Sequence, residues 1–209
     1  MSRGVFMDIS ANKDKFIEIL INFKGDILKS IRGAITGSAE ETLFLNEYRG
    51  KVSKDKIKGY IELKTAVHIV LKYILIRLIE DTNHKINSKL NAEGISKWRE
   101  MSKNFRNDYV KLFQFACDDL RREKGIGKAF AETAYDDYYS RLKSIFNPSQ
   151  NREKNYLELL KDYDFKTMNP NTAITVVEKI YPSEERENLQ KYLLPSPAID
   201  FLLNNLGIR

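Results

Sequence analysis

The sequence predicts an all-α protein: a helical bundle with a smaller C-terminal helical appendix. Three observations point there. Only 10 Gly and 5 Pro punctuate 209 residues rich in Lys, Glu, Leu and Ile, a composition that favours helices and starves hairpins. Apolar residues recur at three- and four-residue spacing in one segment after another. No stretch sustains the two-residue alternation of a half-buried strand.

Periodicity predicts a first helix over Lys13 to Ile31, with Phe16, Ile19, Leu20, Phe23 and Ile27 on one face, before Gly33 and Gly37 break the pattern. A second begins where Ser38 and Glu41 form a capping box and carries Leu43, Phe44 and Leu45 toward Tyr48. The third, about Tyr60 to Asp81, is apolar nearly all round, with Val67, Val70, Leu71, Ile74, Leu75, Leu78 and Ile79. A helix without a polar face belongs at the centre of a bundle. The fourth, about Ser96 to Arg122, shows a one-sided stripe of Trp98, Met101, Phe105, Tyr109, Leu112, Ala116 and Leu120. After the break at Gly125 to Gly127, a fifth displays Phe130, Ala134, Tyr138, Leu142 and Ile145. Asn169 as N-cap with Pro170 at the first helical position starts another helix, and Ser196 with Pro197 repeats the device before a stop at Gly207. The change of texture at Asn147 to Asn151 divides a main bundle over 1–147 from an appendix over 152–209.

The bulk chemistry excludes several function classes. Cys117 is the single cysteine, so no disulfide forms within the chain and no multi-cysteine zinc site exists. His68 and His84 are the only histidines, too few for a His-rich metal site or for a nominated Ser-His-Asp order. The first residues lack an apolar core of signal-peptide length, which points to the cytoplasm. The most apolar stretch is interrupted by His68, Lys72 and Arg77 before it reaches the roughly 20 residues of a membrane span. It reads as a buried helix, and no membrane partner is expected. A formal charge of +6 permits a polyanionic partner.

Two basic runs carry that charge most densely: Lys51, Lys54, Lys56 and Lys58 in one connector, and Arg121, Arg122, Lys124 and Lys128 around the glycine break. Either suits contact with backbone phosphates, and either also suits a solvated surface, because Asp55 and Glu123 are interspersed. The Gly125 to Lys128 stretch is too short for a phosphate loop and reads as a helix break. The adjacent pairs Glu40–Glu41, Asp118–Asp119 and Asp136–Asp137 point to different helix sides and read as solvated faces. The tyrosines lie mostly on core-facing stripes. Arg77 with Glu80 and Asp81, three and four residues on, can form an ion pair that ties the end of an apolar helix to a neighbour.

Several of these segments, in order from about Asn46 onward, resemble the N-terminal helical domain of adenine-specific DNA methyltransferases of restriction-modification systems. That group includes type I modification subunits and fused type II relatives. The resemblance rests on Arg77, Glu80 and Asp81 as an Arg-x-x-Glu-Asp pattern and on Tyr109, Leu112 and Phe113 as Tyr-x-x-Leu-Phe. It rests further on Tyr163, Asp164 and Phe165 as a Tyr-Asp-Phe step, and on Ile180 and Tyr181 followed by Glu184, Glu185 and Arg186. Of the Tyr-Tyr-Thr-Pro loop that edges the family's S-adenosylmethionine pocket, Tyr192 and Pro195 are present while Leu193 and Leu194 replace the middle. Thr175 and Glu178 stand where the family commonly has an Asp-x-x-Gly pair. The family's Asn/Asp-Pro-Pro-aromatic motif, which receives a flipped adenine, has no counterpart, since Asn147-Pro148 and Asn169-Pro170 lack the second proline and the aromatic.

The resemblance implies a non-catalytic domain, without a complete cofactor site, that holds duplex DNA against a catalytic methyltransferase domain in cis or docks a specificity subunit. The last helix would lead toward the catalytic sheet, and S-adenosylmethionine would belong to the parent enzyme. The alternative expectation is a free-standing helical adaptor that binds protein.

Overall fold

The computed structural model describes residues 6–32, 42, 46, 54–83, 85–102, 108–133, 135–146 and 155–181, without the side chains of 54–57 and 144. The expected helices beginning at Ser38 and Ser196, the Gly207 stop, the boundary at 147–151 and the pair Tyr192 and Pro195 lie outside them. Among the described residues the protein is helical: α1 (Lys13–Ile31), α2 (Lys54–Thr82), α3 (Ala92–Met101), α4 (Tyr109–Arg122), α5 (Lys143–Phe146), α6 (Tyr156–Leu160) and α7 (Pro170–Ile180). Two strands of two residues, β1 (Met7–Asp8) and β2 (Tyr163–Asp164), pair in parallel with Met7 opposite Tyr163.

α1 forms where its periodicity places it, burying Phe16, Leu20, Phe23, Ile27 and Ile31 along one stripe. α2 is 29 residues long. Between Ile61 and Glu80 only Lys64 and His68 escape full burial, as an all-round apolar helix at the centre of a core requires. An aromatic chain runs through that core. Phe16 meets Tyr163 and Phe165 at 5.2 and 5.4 Å, Phe23 meets Tyr73 and Phe146, and Phe146 passes the contact to Phe113 at 5.7 Å. Residues from both ends of the described chain therefore share one core.

The segment after β1 is stitched to the segment after β2. Ile9 donates its N–H to Thr167 Oγ1 at 2.9 Å, and Ser10 Oγ donates to the Thr167 carbonyl at 2.8 Å. α7 starts as expected: Asn169 accepts the Thr172 N–H at 2.8 Å ahead of Pro170. Its far end is held by the buried Lys24, whose Nζ donates to the Ile180 carbonyl at 2.9 Å, a cation at the negative end of a helix.

Two expectations are corrected. The helix expected over Ser96 to Arg122 is two helices. Ser102 Oγ donates to the Trp98 carbonyl at 2.6 Å where α3 ends, and the Asp108 carboxylate accepts the Lys111 N–H where α4 begins. α3 also starts earlier, because Asn91 caps it by accepting the Gly94 N–H. The stripe accordingly holds in α4, where Tyr109, Leu112, Ala116 and Leu120 are buried, but Met101 is 69% exposed. The single helix expected after the glycine break is a 3-10 turn (Gly127–Phe130), a 3-10 segment (Asp136–Leu142) and the short α5. Phe130, Tyr138, Leu142 and Ile145 still face the core. Asp136, the first residue of the 3-10 segment, turns inward onto Lys72 of α2.

Candidate functional site

Three polar constellations stand out from this apolar frame. The first is built around Arg77, which is 0% exposed. α2 carries it to the end of the core, where its guanidinium reaches four carbonyls of two backbone segments. Nη1 donates to the carbonyls of Leu90 and Leu160 at 3.1 Å and of Lys161 at 3.4 Å. Nη2 donates to Asp81 Oδ2 at 2.9 Å and to the Tyr163 carbonyl at 2.7 Å. The Phe165 ring lies 4.7 Å from the guanidinium carbon, within cation–π range. Asp81 Oδ2 also accepts the Phe165 N–H at 2.9 Å, while the Glu80 carboxylate accepts the N–H groups of Lys89 and Leu90. Asp164 stands beside the joint, capping the next turn through the Lys166 N–H.

Burial pushes the Glu80 pKa up to about 7, against the opposing pull of the Lys89 N–H and of Arg77. Burial would lower the Arg77 pKa, but Tyr73, Asp81 and Glu80 outweigh it and hold the guanidinium charged. The fork of Arg suits simultaneous bonds to several carbonyls, and every bond it makes ends on this chain's own backbone or Asp81. The constellation is a structural joint.

The second joins α2 to the 3-10 segment. Lys72, 1% exposed, donates to both carboxylate oxygens of Asp136 at 2.7 and 2.9 Å. His68 Nε2 stands 3.5 Å from the same carboxylate, and the Thr133 N–H donates to it at 2.9 Å. Burial would raise the Asp136 pKa, yet hydrogen bonds from His68, Lys72 and Tyr139 prevail and bring it well below the ordinary carboxylate range. Burial lowers the pKa of His68 and pushes the Cys117 thiol up to about 12, so the thiol, 3.9 Å from the Tyr139 hydroxyl, stays protonated and a poor nucleophile. The reading of Asp136 as part of a solvated face is thus corrected. Among the described residues no group of three His, Cys, Asp or Glu side chains could hold a metal ion.

The third is the basic turn after α4. Gly125 has φ +90°, which suits its lack of a side chain. Gly127 packs so closely on Arg121 that an added Cβ would stand 2.3 Å from the Arg121 carbonyl oxygen. The Gly127 N–H donates to the Glu123 carbonyl at 3.0 Å. Arg121, partly exposed, is engaged within the chain: Nε donates to the Phe130 carbonyl at 3.0 Å, and Nη1 pairs with Glu132 at 2.8 Å and Asp118 at 3.1 Å. Arg122, Lys124 and Lys128 are exposed and enter no ion pair among the described residues. Arg121, Glu123, Gly125, Gly127, Lys128 and Glu132 line an open concavity of about 780 Å³.

Of the other basic run, Lys51 lies outside the described residues, Lys54 and Lys56 are placed by backbone alone on the first turn of α2, and Lys58 is half-buried. The structure thus brings Arg77, Glu80, Asp81, Tyr163 and Phe165 together and divides the run 121–128 into one cation engaged within the chain and three exposed ones. Sequence reasoning missed Lys72 with Asp136, whose partnership spans 64 positions. No helix of the described residues is long and apolar enough to cross a membrane. Compared with known proteins, the chain matches no family model, no curated protein and no solved structure.

Proposed function

We propose that this chain is the non-catalytic, N-terminal helical part of an adenine-specific DNA methyltransferase of a restriction-modification system. Its work in this reading is to hold duplex DNA against a catalytic domain in cis, or to dock a specificity subunit, in the cytoplasm. The observation that carries the reading is the meeting of two separated patterns of the resemblance. Arg77, Glu80 and Asp81 and the step Tyr163, Asp164 and Phe165 build one buried joint rather than two unrelated surfaces. The outward cations of the turn after α4 support the DNA-holding half, since phosphate contacts position a duplex without reading its sequence. Methyl transfer from S-adenosylmethionine belongs, in this reading, to the catalytic domain.

An electrophoretic shift of duplex DNA by the full 209-residue chain tests the proposal. A shift at low salt that fades as salt is raised is the expected result. No shift at low salt from a folded sample removes the DNA-holding role.

One observation favours the second reading, a protein-binding adaptor. Met101 and Phe115 are 69% and 47% exposed, and Phe115 meets Trp98 edge-on at 5.9 Å. Exposed apolar groups that gather across two helices are a common mark of protein contact. An adaptor predicts that Phe115→Asp abolishes a protein complex and leaves DNA affinity unchanged.

A further inference from the structure

We propose that the turn Arg122–Lys128 is the phosphate-contacting element of this chain, that its partner is the backbone of duplex nucleic acid, and that Arg121 is its positioning residue rather than a contact. The inference rests on the DNA-holding role and assigns it to one of the two basic runs.

Three features of the turn carry it. First, the charges differ in employment. Arg121 is committed to Phe130, Glu132 and Asp118, whereas Arg122, Lys124 and Lys128 are exposed. Among the described residues Glu123 is the one carboxylate of positions 122–128, and it makes no ion pair there; beside the turn, Asp118 and Glu132 share the single cation Arg121. The turn itself thus presents three cations against one anion.

Second, the backbone that carries them is fixed. Gly125 occupies a conformation at φ +90° that other residues adopt rarely, and the Arg121 carbonyl leaves no room for a Cβ at Gly127. Arg121 clamps the far side of the turn by its bond to the Phe130 carbonyl. Cations on a pre-folded turn lose less conformational freedom on binding than cations on a loose connector.

Third, the placement exceeds what the helix needs. Basic residues in the last turn of a helix offset its negative end, which accounts for Arg121 and Arg122 at the end of α4. It does not account for Lys124, which lies beyond α4 and before the glycines, while Lys128 sits within the 3-10 turn that follows them. In the rival run, Lys58 is half-buried on α2 and already engaged in an interaction within the chain.

The experiment measures duplex affinity of the full chain by fluorescence anisotropy across a salt series. Each phosphate contact contributes about 0.9 to the slope of log affinity against log salt. The variant Arg122→Ala/Lys124→Ala/Lys128→Ala should lower that slope by about 2 to 3, in a folded sample whose thermal melt shifts only slightly, through the loss of Arg122 at the end of α4. Glu123→Gln should tighten binding, a gain that a merely structural role for the turn would not produce. Gly127→Ala keeps every charge and should weaken binding; if it fails to fold, the two exposed-side-chain variants still decide the question. A wild-type chain that binds with a normal salt slope, while the triple variant keeps the same slope, overturns this inference and leaves the DNA-holding role standing on other residues. A wild-type chain that does not bind duplex removes the role itself. Equal affinity for polyglutamate of matched charge overturns the assignment to nucleic-acid phosphates.

Discussion

Arg77 Nη2 and the Tyr163 carbonyl oxygen stand 2.7 Å apart across 86 positions of sequence, inside a core that excludes water from both. The bond closes the structure, because Arg77 also holds the carbonyls of Leu90, Leu160 and Lys161. β2 and the segment before α3 are joined through one side chain on the central helix.

Removing that side chain strips several buried carbonyls of a donor and leaves the Asp81 carboxylate with the Phe165 N–H but no cationic partner. Breaking a buried charged network in this way costs on the order of 3–5 kcal/mol. Arg77→Met should therefore lower the unfolding free energy by about that amount, read as a shift of the urea midpoint at constant slope. Arg77→Lys keeps the charge but cannot fork to Leu90, Asp81 and Tyr163 together, so it should recover only a minor part of the loss.

Glu80 makes stability depend on pH. Its folded-state pKa is raised to about 7, so between the ordinary glutamate range and 7 the folded state binds more protons than the unfolded one. Stability is then greatest at the acidic end of that window and falls as pH rises through it, by on the order of 3 kcal/mol from this group. Glu80→Gln, which retains an oxygen acceptor for the N–H groups of Lys89 and Leu90, should flatten the stability profile between pH 5 and pH 7. An equally steep profile in the variant would assign the dependence to another group.

Asp136 acts in the opposite sense. Its pKa is held down in the folded state, so its contribution is fully present above the ordinary aspartate range and is lost as pH falls below it. At neutral pH, Asp136→Asn leaves Lys72 as a buried, uncompensated cation and should cost about 3–5 kcal/mol in chemical denaturation. The double variant Lys72→Met/Asp136→Leu removes both charges and should lie closer to the parent than the single variant.

Two glycines should answer alanine with opposite signs. An added Cβ at Gly94 would stand 2.5 Å from the Lys89 backbone, so Gly94→Ala forces the start of α3 outward, at about 1–3 kcal/mol. At Gly25, inside α1, nothing lies within 4 Å of the added atom, and Gly25→Ala should stabilise by about 0.5–1 kcal/mol. Paired thermal melts check both.

What the sequence revealed follows the range of the forces involved. α1 was legible over Lys13–Ile31 because Phe16, Leu20, Phe23 and Ile27 all answer to one stripe. The centrality of α2 was legible because it lacks a polar face, and α7 because Asn169 and Pro170 act within one turn. The break at Ser102 was hidden under a stripe that continues through it, although Asp108 before Tyr109 is a local cap that could have revealed it. The inward turn of Asp136 was not legible, since its cause, Lys72, lies 64 positions away. In the candidate site the Arg77, Glu80 and Asp81 tie was visible as a pattern, but its carbonyl partners belong to backbone that no side-chain pattern marks. The run 121–128 was visible as charge, while the division between Arg121 and its neighbours depends on Glu132 and the Phe130 carbonyl.

The most direct measurement of the central claim, a helical scaffold that holds duplex DNA by its phosphates, is the slope of log affinity against log salt for the intact chain. Three outward cations on the Arg122–Lys128 turn predict a slope near −3, about 0.9 for each contact. A slope indistinguishable from zero, in a sample whose melt shows the core intact, would contradict the account.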